Sequence, residues 1–384
     1  MGWLEGWAYR KSHVIEGSPA GSVGDYQIRI VAHYGSGEDS GEDVYLNGHA
    51  RADFGDIRFT DSDGVTELPY WIEEKVDGDY AVFWVKVPSI PASPDTAAIY
   101  VYYGKPDAAT TSNGDGTFLQ FDDFDDLAAW TQDKASAAET ITVEDGQVKF
   151  HHRVNTFCHI ERSMTYEDVA VQVKLKTPAS GAEASWAIAL GVYFNPYDYA
   201  AVKIRQDQPE AGVVRPFDAF RDVDGAIYET FTGTSGYSTY YWVRIRIAGS
   251  TVYFDYSTDG ETWICIHSMS RPATWDAPSL VIIGHGFEWK ASSYSNPDWD
   301  NSYASPGSAV DTYADKYFVR RYIEPEPSHG PWGAEESVTP PAPEEAKPLY
   351  YIEYGLFEQI ISMVYALIAL AAVMMVLASV RKLK

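Results

Sequence analysis

The first residues that could do chemistry are the carboxylates of an acidic run, Asp122, Asp123, Asp125 and Asp126. Hard cations such as Ca²⁺ bind through several oxygen ligands, which closely spaced carboxylates can supply. The alternative is a solvated, turn-rich acidic surface, because no loop in the sequence has the complete ligand spacing of a calcium loop. The run therefore indicates either a cation site or a charged face.

Aromatic side chains set among polar ones form a second candidate site. Sugars stack their flat C–H faces on Trp and Tyr rings, and polar groups beside the ring then hold the hydroxyls. Residues 193–199 have this composition, and so does a polar insertion at residues 286–315, which is too long for an ordinary hairpin. The predicted ligand-binding residues are Tyr197, Trp289, Tyr294, Trp299, Asp300 and Tyr303. The alternative is an aromatic-rich loop that only packs.

The sequence lacks the common catalytic motifs. It has no Gly-x-Ser-x-Gly elbow, no His-Glu-x-x-His pair, no phosphate-binding glycine loop and no Glu-x-Asp-x-x-Glu strand of the kind found in sandwich glycosidases. We therefore expect a non-enzymatic protein without catalytic residues. Because separate carboxylates can still meet in a fold, a glycoside hydrolase stays an alternative.

The two cysteines, Cys158 and Cys265, both lie in strand-like runs. Such strands can face each other across a sandwich, so a disulfide between them is one prediction. Two buried free thiols are the alternative.

The elements that must position these residues are predicted to be strands. Aromatic residues make up 15% of the chain, and Leu- and Ala-rich helical patterns are missing before its C-terminal segment. Alternating apolar and polar runs recur roughly every ten residues, separated by Gly, Pro and Asp. The pattern predicts an all-β fold of two consecutive β-sandwich, jelly-roll-like domains at residues 1–110 and 117–323, joined by a polar linker at residues 111–116.

The first block resembles a known family. The segments that carry the resemblance are Trp7-Ala8-Tyr9-Arg10 and residues 54–64, 68–73, 83–88 and 99–104. They are similar, in the same order, to the domain of unknown function catalogued as number 2341. The resemblance implies an extracytoplasmic β-sandwich of archaeal, bacterial or viral surface proteins, often followed by a concanavalin-like sandwich. It brings no catalytic residues.

The second block resembles a concanavalin or laminin-G-like jelly roll, through its opening Asp122-Asp123-Phe124 and its closing residues 317–322. The resemblance implies a carbohydrate- or protein-binding module. It also implies one Ca²⁺ where the first and last strands meet, which would pair Asp123 with Asp315.

The C-terminal segment predicts a membrane anchor. Residues 324–349 are rich in Pro and Glu and predict an extended stalk. Residues 356–380 contain the uncharged run Ile360 to Val380, which as a helix would be roughly 30 Å long, the thickness of a bilayer core. A basic tail, residues 381–384, follows, whereas acidic residues precede the span. The positive-inside rule then places the tail in the cytoplasm or a virion interior and the bulk of the chain outside.

The formal net charge of −26 would repel phosphate backbones, so nucleic acid is not an expected partner. We expect a membrane-anchored surface-display protein that binds glycans or a surface protein, with a homo-oligomer as one possibility. A virion spike or capsid subunit is the alternative. The chain begins with Met1 and shows no signal peptide, which would favour the virion alternative if Met1 is the native start.

Overall fold

The structure is a computed structural model that describes residues 2–153, 156–179, 186–195, 198–205, 215–223, 225–286, 309–338 and 349–381. It consists of two compact units, Met1–Glu336 and Ser337–Lys384. The first unit, which we call the head, contains the β-sandwiches. The second contains the long apolar helix, so the predicted fold class is confirmed.

The first sandwich packs two sheets around an aromatic and aliphatic core. Its strands are β1 (Tyr9–Glu16), β2 (Val23–His33), β3 (Asp43–Tyr45), β4 (Arg58–Asp61), β5 (Tyr70–Val76), β6 (Tyr80–Ile90), β7 (Thr96–Tyr103) and, from the far end of the head, β24 (Ser328–Trp332). The sheet orders are β24-β1-β7-β4 and β3-β2-β6-β5. Alternate residues such as Ile30, Phe59 and Phe83 are fully buried between them.

The second sandwich is larger. Its strands are β8 (Gln120–Asp122), β9 (Thr131–Lys134), β10 (Thr140–Glu144), β11 (Gln147–His152), β12 (Cys158–Ser163), β13 (Val169–Lys176), β14 (Trp186–Tyr193), β15 (Tyr199–Arg205), β16 (Phe217–Val223), β17 (Ala226–Tyr228), β18 (Phe231–Thr232), β19 (Tyr240–Ala248), β20 (Thr251–Ser257), β21 (Trp263–Ser270), β22 (Leu280–His285) and β23 (Val310–Arg321). One sheet has the order β10-β11-β23-β13-β19-β20-β21, and the facing sheet has the order β17-β16-β15-β14-β22-β12-β9. Strands β10 and β11 form one hairpin, β20 and β21 form another, and β22 is a central strand with a neighbour on each side.

The two sandwiches form one compact unit rather than two separate domains joined by a linker. The predicted linker ends in a short helix, α1 (Gly114–Thr117), which Asn113 caps by accepting a hydrogen bond from the Gly116 amide. Beside it lies a buried aromatic cluster contributed by both sandwiches: Trp71, Trp84, Phe118, Trp242 and Phe318. Phe118 and Phe318 stack with ring centroids 4.3 Å apart. Aromatic burial of this kind joins the two sandwiches.

The predicted stalk is wrong for residues 328–337. Its chain is extended, as Pro and Glu favour, but it runs back to the first sandwich, where β24 pairs antiparallel with β1. Its carboxylates find partners that the sequence pattern does not show. Glu326 pairs with Arg320 at 2.6 Å and accepts a hydrogen bond from Tyr26, and Glu336 pairs with Arg10 at 2.7 Å. We call residues 324–336 the return segment.

The last element is α2 (Leu349–Arg381), and most of it consists of Leu, Ile, Val, Ala and Met. Within it, Glu358–Met375 has a mean hydropathy of 1.8 and none of it is buried. The helix is long and apolar enough to cross a membrane.

Candidate binding face

The six residues predicted to bind a ligand lie outside the described residues: Tyr197, Trp289, Tyr294, Trp299, Asp300 and Tyr303. Their role stays a prediction. The insertion that holds most of them is shorter than predicted, because β23 already begins at Val310. Asp315 consequently lies within the last strand of the sandwich rather than before it.

The predicted disulfide is not formed, and both cysteines are free. Cys158 on β12 points into the core between the two sheets, whereas Cys265 on β21 is exposed. The two strands belong to facing sheets, but only one of the two side chains points inward, so the sulfurs cannot meet. Burial raises the pKa of the Cys158 thiol to about 12.

The predicted calcium ligands come from neighbouring segments: Asp123 directly follows β8, and Asp315 lies on β23, with which β8 pairs. Asp123 lines a cleft of about 530 Å³ whose other walls include Trp71, Phe121 and Asp125. Asp315 is in register with Lys174 of β13. Burial raises the pKa of Asp315, and the nearby ammonium groups oppose that shift. Among the described residues, no group of three or more His, Cys, Asp or Glu side chains is placed to hold a metal ion. The Ca²⁺ site stays a prediction.

The structure brings a different set of residues together on the outer face of the sheet that contains β13. Alternation along β13 buries Val173 and Leu175 and turns Lys174 and Lys176 outward. The strands on either side place aromatic rings next to these lysines. We call this set the lysine–tyrosine face, and its members are Lys174, Lys176, Tyr240, Trp242 and Tyr313.

Strand register fixes the order of the lysine–tyrosine face. Lys176 lies directly between Tyr240 of β19 and Tyr313 of β23, and Lys174 lies between Trp242 and Asp315. Adjacent strands are about 4.8 Å apart, so the row from Lys149 on β11 through Tyr313 and Lys176 to Tyr240 spans roughly 14 Å. The face therefore has room for more than one ring of a polymer.

Both lysines lie against aromatic rings. The Lys176 Nζ is 5.1 Å from the Tyr240 ring centroid and 5.0 Å from that of Tyr313. The Lys174 Nζ is 5.5 Å from Tyr240 and 5.7 Å from Trp242. These distances are in the range of cation–π contacts, which hold the ammonium groups in place. The two lysines and two tyrosines are half-buried, whereas Trp242 is buried at the junction of the sandwiches.

Polar contacts fix the margin of the face. The Tyr240 hydroxyl donates a hydrogen bond of 2.8 Å to the Gln147 side chain. At the next position along β23, Asp311 contacts His151 at 2.7 Å and Lys149 at 3.2 Å. Burial alone would raise the pKa of Asp311, but hydrogen bonds from these two side chains hold it below its ordinary value. The carboxylate at this margin is thus satisfied by its own neighbours.

A second charged cluster, on the facing sheet, is not accessible. Lys203 and Asp218 are cross-strand neighbours, and Arg205 contacts Asp218 at 3.4 Å. Burial raises the pKa of Asp218 to about 7. Such a shift is typical of catalytic acids, but these three residues are at most 7% exposed. A ligand cannot reach this cluster in the described structure, so the lysine–tyrosine face is the better candidate.

Comparison with solved structures gives low-similarity matches. The GH43 BlXynB protein from Bacillus licheniformis is 12% identical, with 69% of this chain and 53% of that chain covered and a TM-score of 0.39. A β-glucanase from the same organism is 10% identical, with 53% and 97% covered and a TM-score of 0.36. The carbohydrate-binding module CBM66 from Bacillus subtilis is 8% identical, with 51% and 97% covered and a TM-score of 0.32. These TM-scores are below 0.5, so the similarities assign neither an activity nor a ligand to this chain.

Comparison of sequences is more specific but covers less of the chain. No curated protein matches the chain. Residues 53–134 match the family described as a domain of unknown function, DUF2341, which confirms the predicted resemblance over the later part of the first sandwich and extends it into β9 of the second.

Proposed function

We propose that this chain is a non-enzymatic, membrane-anchored display protein whose head binds glycans through the lysine–tyrosine face. The observation that carries the proposal is the position of Tyr240 and Tyr313. Their half-exposed rings lie on either side of Lys176, on three neighbouring central strands of a sheet. Rings of this kind, with polar groups beside them, suit the stacking and hydrogen bonding of sugars.

The rigidity of the sheet supports the proposal. The tyrosines project from paired strands with a packed core beneath them, and the Tyr240 hydroxyl is already held by Gln147. Binding to such a surface orders few side chains, so little of the contact energy is lost to entropy. A polymer whose sugar units each bind weakly is therefore held more tightly when several of its units contact the face at once.

The anchoring part of the proposal rests on α2. Its apolar segment Glu358–Met375 is not buried in the protein and has the length of a membrane span. We propose that residues 356–380 lie in the bilayer, that the basic tail lies on the cytoplasmic or interior side, and that the head lies on the other side. The head would then be displayed outside the cell or on a virion surface.

A glycan array probed with the full chain in detergent tests the proposal. We expect Tyr240→Ala and Tyr313→Ala each to weaken binding of the best ligand about tenfold, because the loss of a central aromatic contact costs roughly 1.4 kcal/mol. Tyr228→Ala is the matched control, since Tyr228 is 50% exposed on the facing sheet. An array without binding, or equal loss in the control, would refute the proposal.

A further inference from the structure

We infer that the glycan bound by the lysine–tyrosine face is anionic and carries carboxylate or sulfate groups. The inference rests on the proposed function and names the ligand class for the same site. Its basis is the position of Lys176, whose ammonium group lies between two tyrosine rings. Among the described residues, no carboxylate oxygen lies within 4.0 Å of that ammonium group, whereas Lys174 lies next to Asp315.

In a chain of this composition, a lysine without an ion-pair partner is unusual. Acidic residues outnumber Lys and Arg by 55 to 29, so a lysine can readily find a carboxylate. Lys11, for example, pairs with Asp39 at 2.6 Å, and Lys149 pairs with Asp311 at 3.2 Å. Within the part of the chain that the structure describes, neither Lys174 nor Lys176 has a carboxylate oxygen within 4.0 Å of its Nζ. The positive charge of Lys176 is therefore available to a ligand, whereas that of Lys174 also acts on the carboxyl groups of Asp315 and Glu73.

The described carboxylates nearest to the face interact with Lys174 or with other cations rather than with Lys176. Asp311 is already held by Lys149 and His151. Asp315, in register with Lys174, is also influenced by the ammonium group of Lys316. Lys176 faces the two tyrosines, and none of the described carboxylates forms an ion pair with it. The net charge of −26 opposes anions at long range, but an anionic group that reaches Lys176 meets a cation and two aromatic rings.

The spacing suits a sugar that is both a ring and an anion. Lys174 and Lys176 are two residues apart on one face of a strand, so their Cα atoms are about 7 Å apart. A pyranose stacked on Tyr240 or Tyr313 would lie beside an ammonium group that is partly shielded from water by the aromatic rings. Charge pairing at such a partly desolvated position is stronger than at an open surface. Stacking would supply the ring contact, and the lysine would select the charged sugar.

Matched polysaccharide pairs test the inference. Binding of the full chain in detergent is measured to a uronate polysaccharide and its carboxyl-reduced form, and to a sulfated galactan and its desulfated form. We expect at least one charged member to bind tenfold or more tightly than its neutral partner, with an affinity that falls as salt rises from 50 to 500 mM. The pair that shows the preference identifies the group as carboxylate or sulfate.

The double variant Lys174→Gln/Lys176→Gln should lose that preference, so that the charged and neutral members of the pair bind with similar affinity, and should keep the circular dichroism of the wild type. Lys134→Gln, an exposed lysine on the facing sheet, is the control and should keep the preference. Equal binding of charged and neutral members would overturn the inference and leave the proposed function standing. Absence of binding to all four polymers and to the array would overturn both.

A second copy of this acidic chain is the other partner with complementary charge. If the double lysine variant changes the mass measured by light scattering but not the binding of any glycan, the face is a self-association surface. That result would also overturn the inference.

Discussion

A drop in pH from 7.5 to 5.0 should weaken the first sandwich through the buried His13 and the half-buried His329 beside it. The His13 Nε2 is 2.8 Å from the His329 Nδ1, and the fully buried His13 ring stacks on Trp332 at 3.8 Å. Burial, followed by the repulsion of His329, lowers the pKa of His13 to about 3. Burial and Arg29 lower the pKa of His329 to about 4, against a smaller opposing effect of Asp43.

The size of the effect follows from the difference between folded and unfolded pKa values. The unfolded histidines take up protons below about pH 6.5, whereas the folded pair stays neutral until pH 4 or below. The unfolded state therefore binds more protons in this window, so stability is fully present above pH 6.5 and is lost as the pH falls towards 3. Below pH 6.5 each of these histidines lowers the free energy of unfolding by about 1.4 kcal/mol per pH unit. At pH 5.0 the loss is about 2 kcal/mol per histidine and about 4 kcal/mol for the pair.

Denaturant unfolding of the full chain in detergent, at pH 7.5 and pH 5.0, measures this loss. Tryptophan fluorescence is a suitable probe because the Trp332 ring stacks on the His13 ring. The double variant His13→Phe/His329→Phe keeps two rings but no imidazole, and its loss of stability between the two pH values should be smaller by about 4 kcal/mol. His151→Gln, in the second sandwich, controls for the removal of an imidazole elsewhere. Equal losses in wild type and double variant would refute the reasoning.

Three further predictions concern the head. Glu326→Gln should lower its free energy of unfolding by about 2–3 kcal/mol, because the buried Arg320 loses its charged partner while Glu326 itself is one-third exposed. Glu38→Gln, at an exposed site, should change the free energy of unfolding little, and an equal effect of both variants would contradict the ion-pair argument. A maleimide should label Cys265 and spare Cys158 in the folded protein, as read by mass spectrometry, and a protected Cys265 would indicate a bridge after all. If the predicted calcium site exists, chelation should lower the melting temperature of wild type but not of Asp123→Asn; an unchanged wild type would remove it.

The strands and the fold class were predictable because alternation of apolar and polar residues reports burial directly. The pattern of β13 shows from sequence alone that Lys174 and Lys176 face outward. It does not show which strands flank β13. Tyr240 and Tyr313 come beside Lys176 only because β13 pairs with strands much later in the chain. Register between distant strands leaves little trace in a single sequence, so the candidate face could not be assembled from it.

The return segment was predicted incorrectly for a related reason. Its Pro and Glu content favours an extended, solvated chain, and composition contains no information about distant cations. Arg10 pairs with Glu336, and Tyr26 and Arg320 both contact Glu326. These contacts hold the extended chain against the first sandwich. The cysteines show the same limit, since a strand-like pattern around Cys265 does not say which face of the strand its side chain occupies.

The pairing of β1 with β24 also fixes an order of events during synthesis. His13 meets His329 across 316 residues of chain. The N-terminal sheet consequently lacks its edge strand until the ribosome has made every strand of the second sandwich and passed Trp332. Closure over so long a separation is slow, and until then β1 presents unpaired backbone groups. A nascent chain would therefore need its first domain shielded, or its second folded promptly, for the head to mature without misassembly.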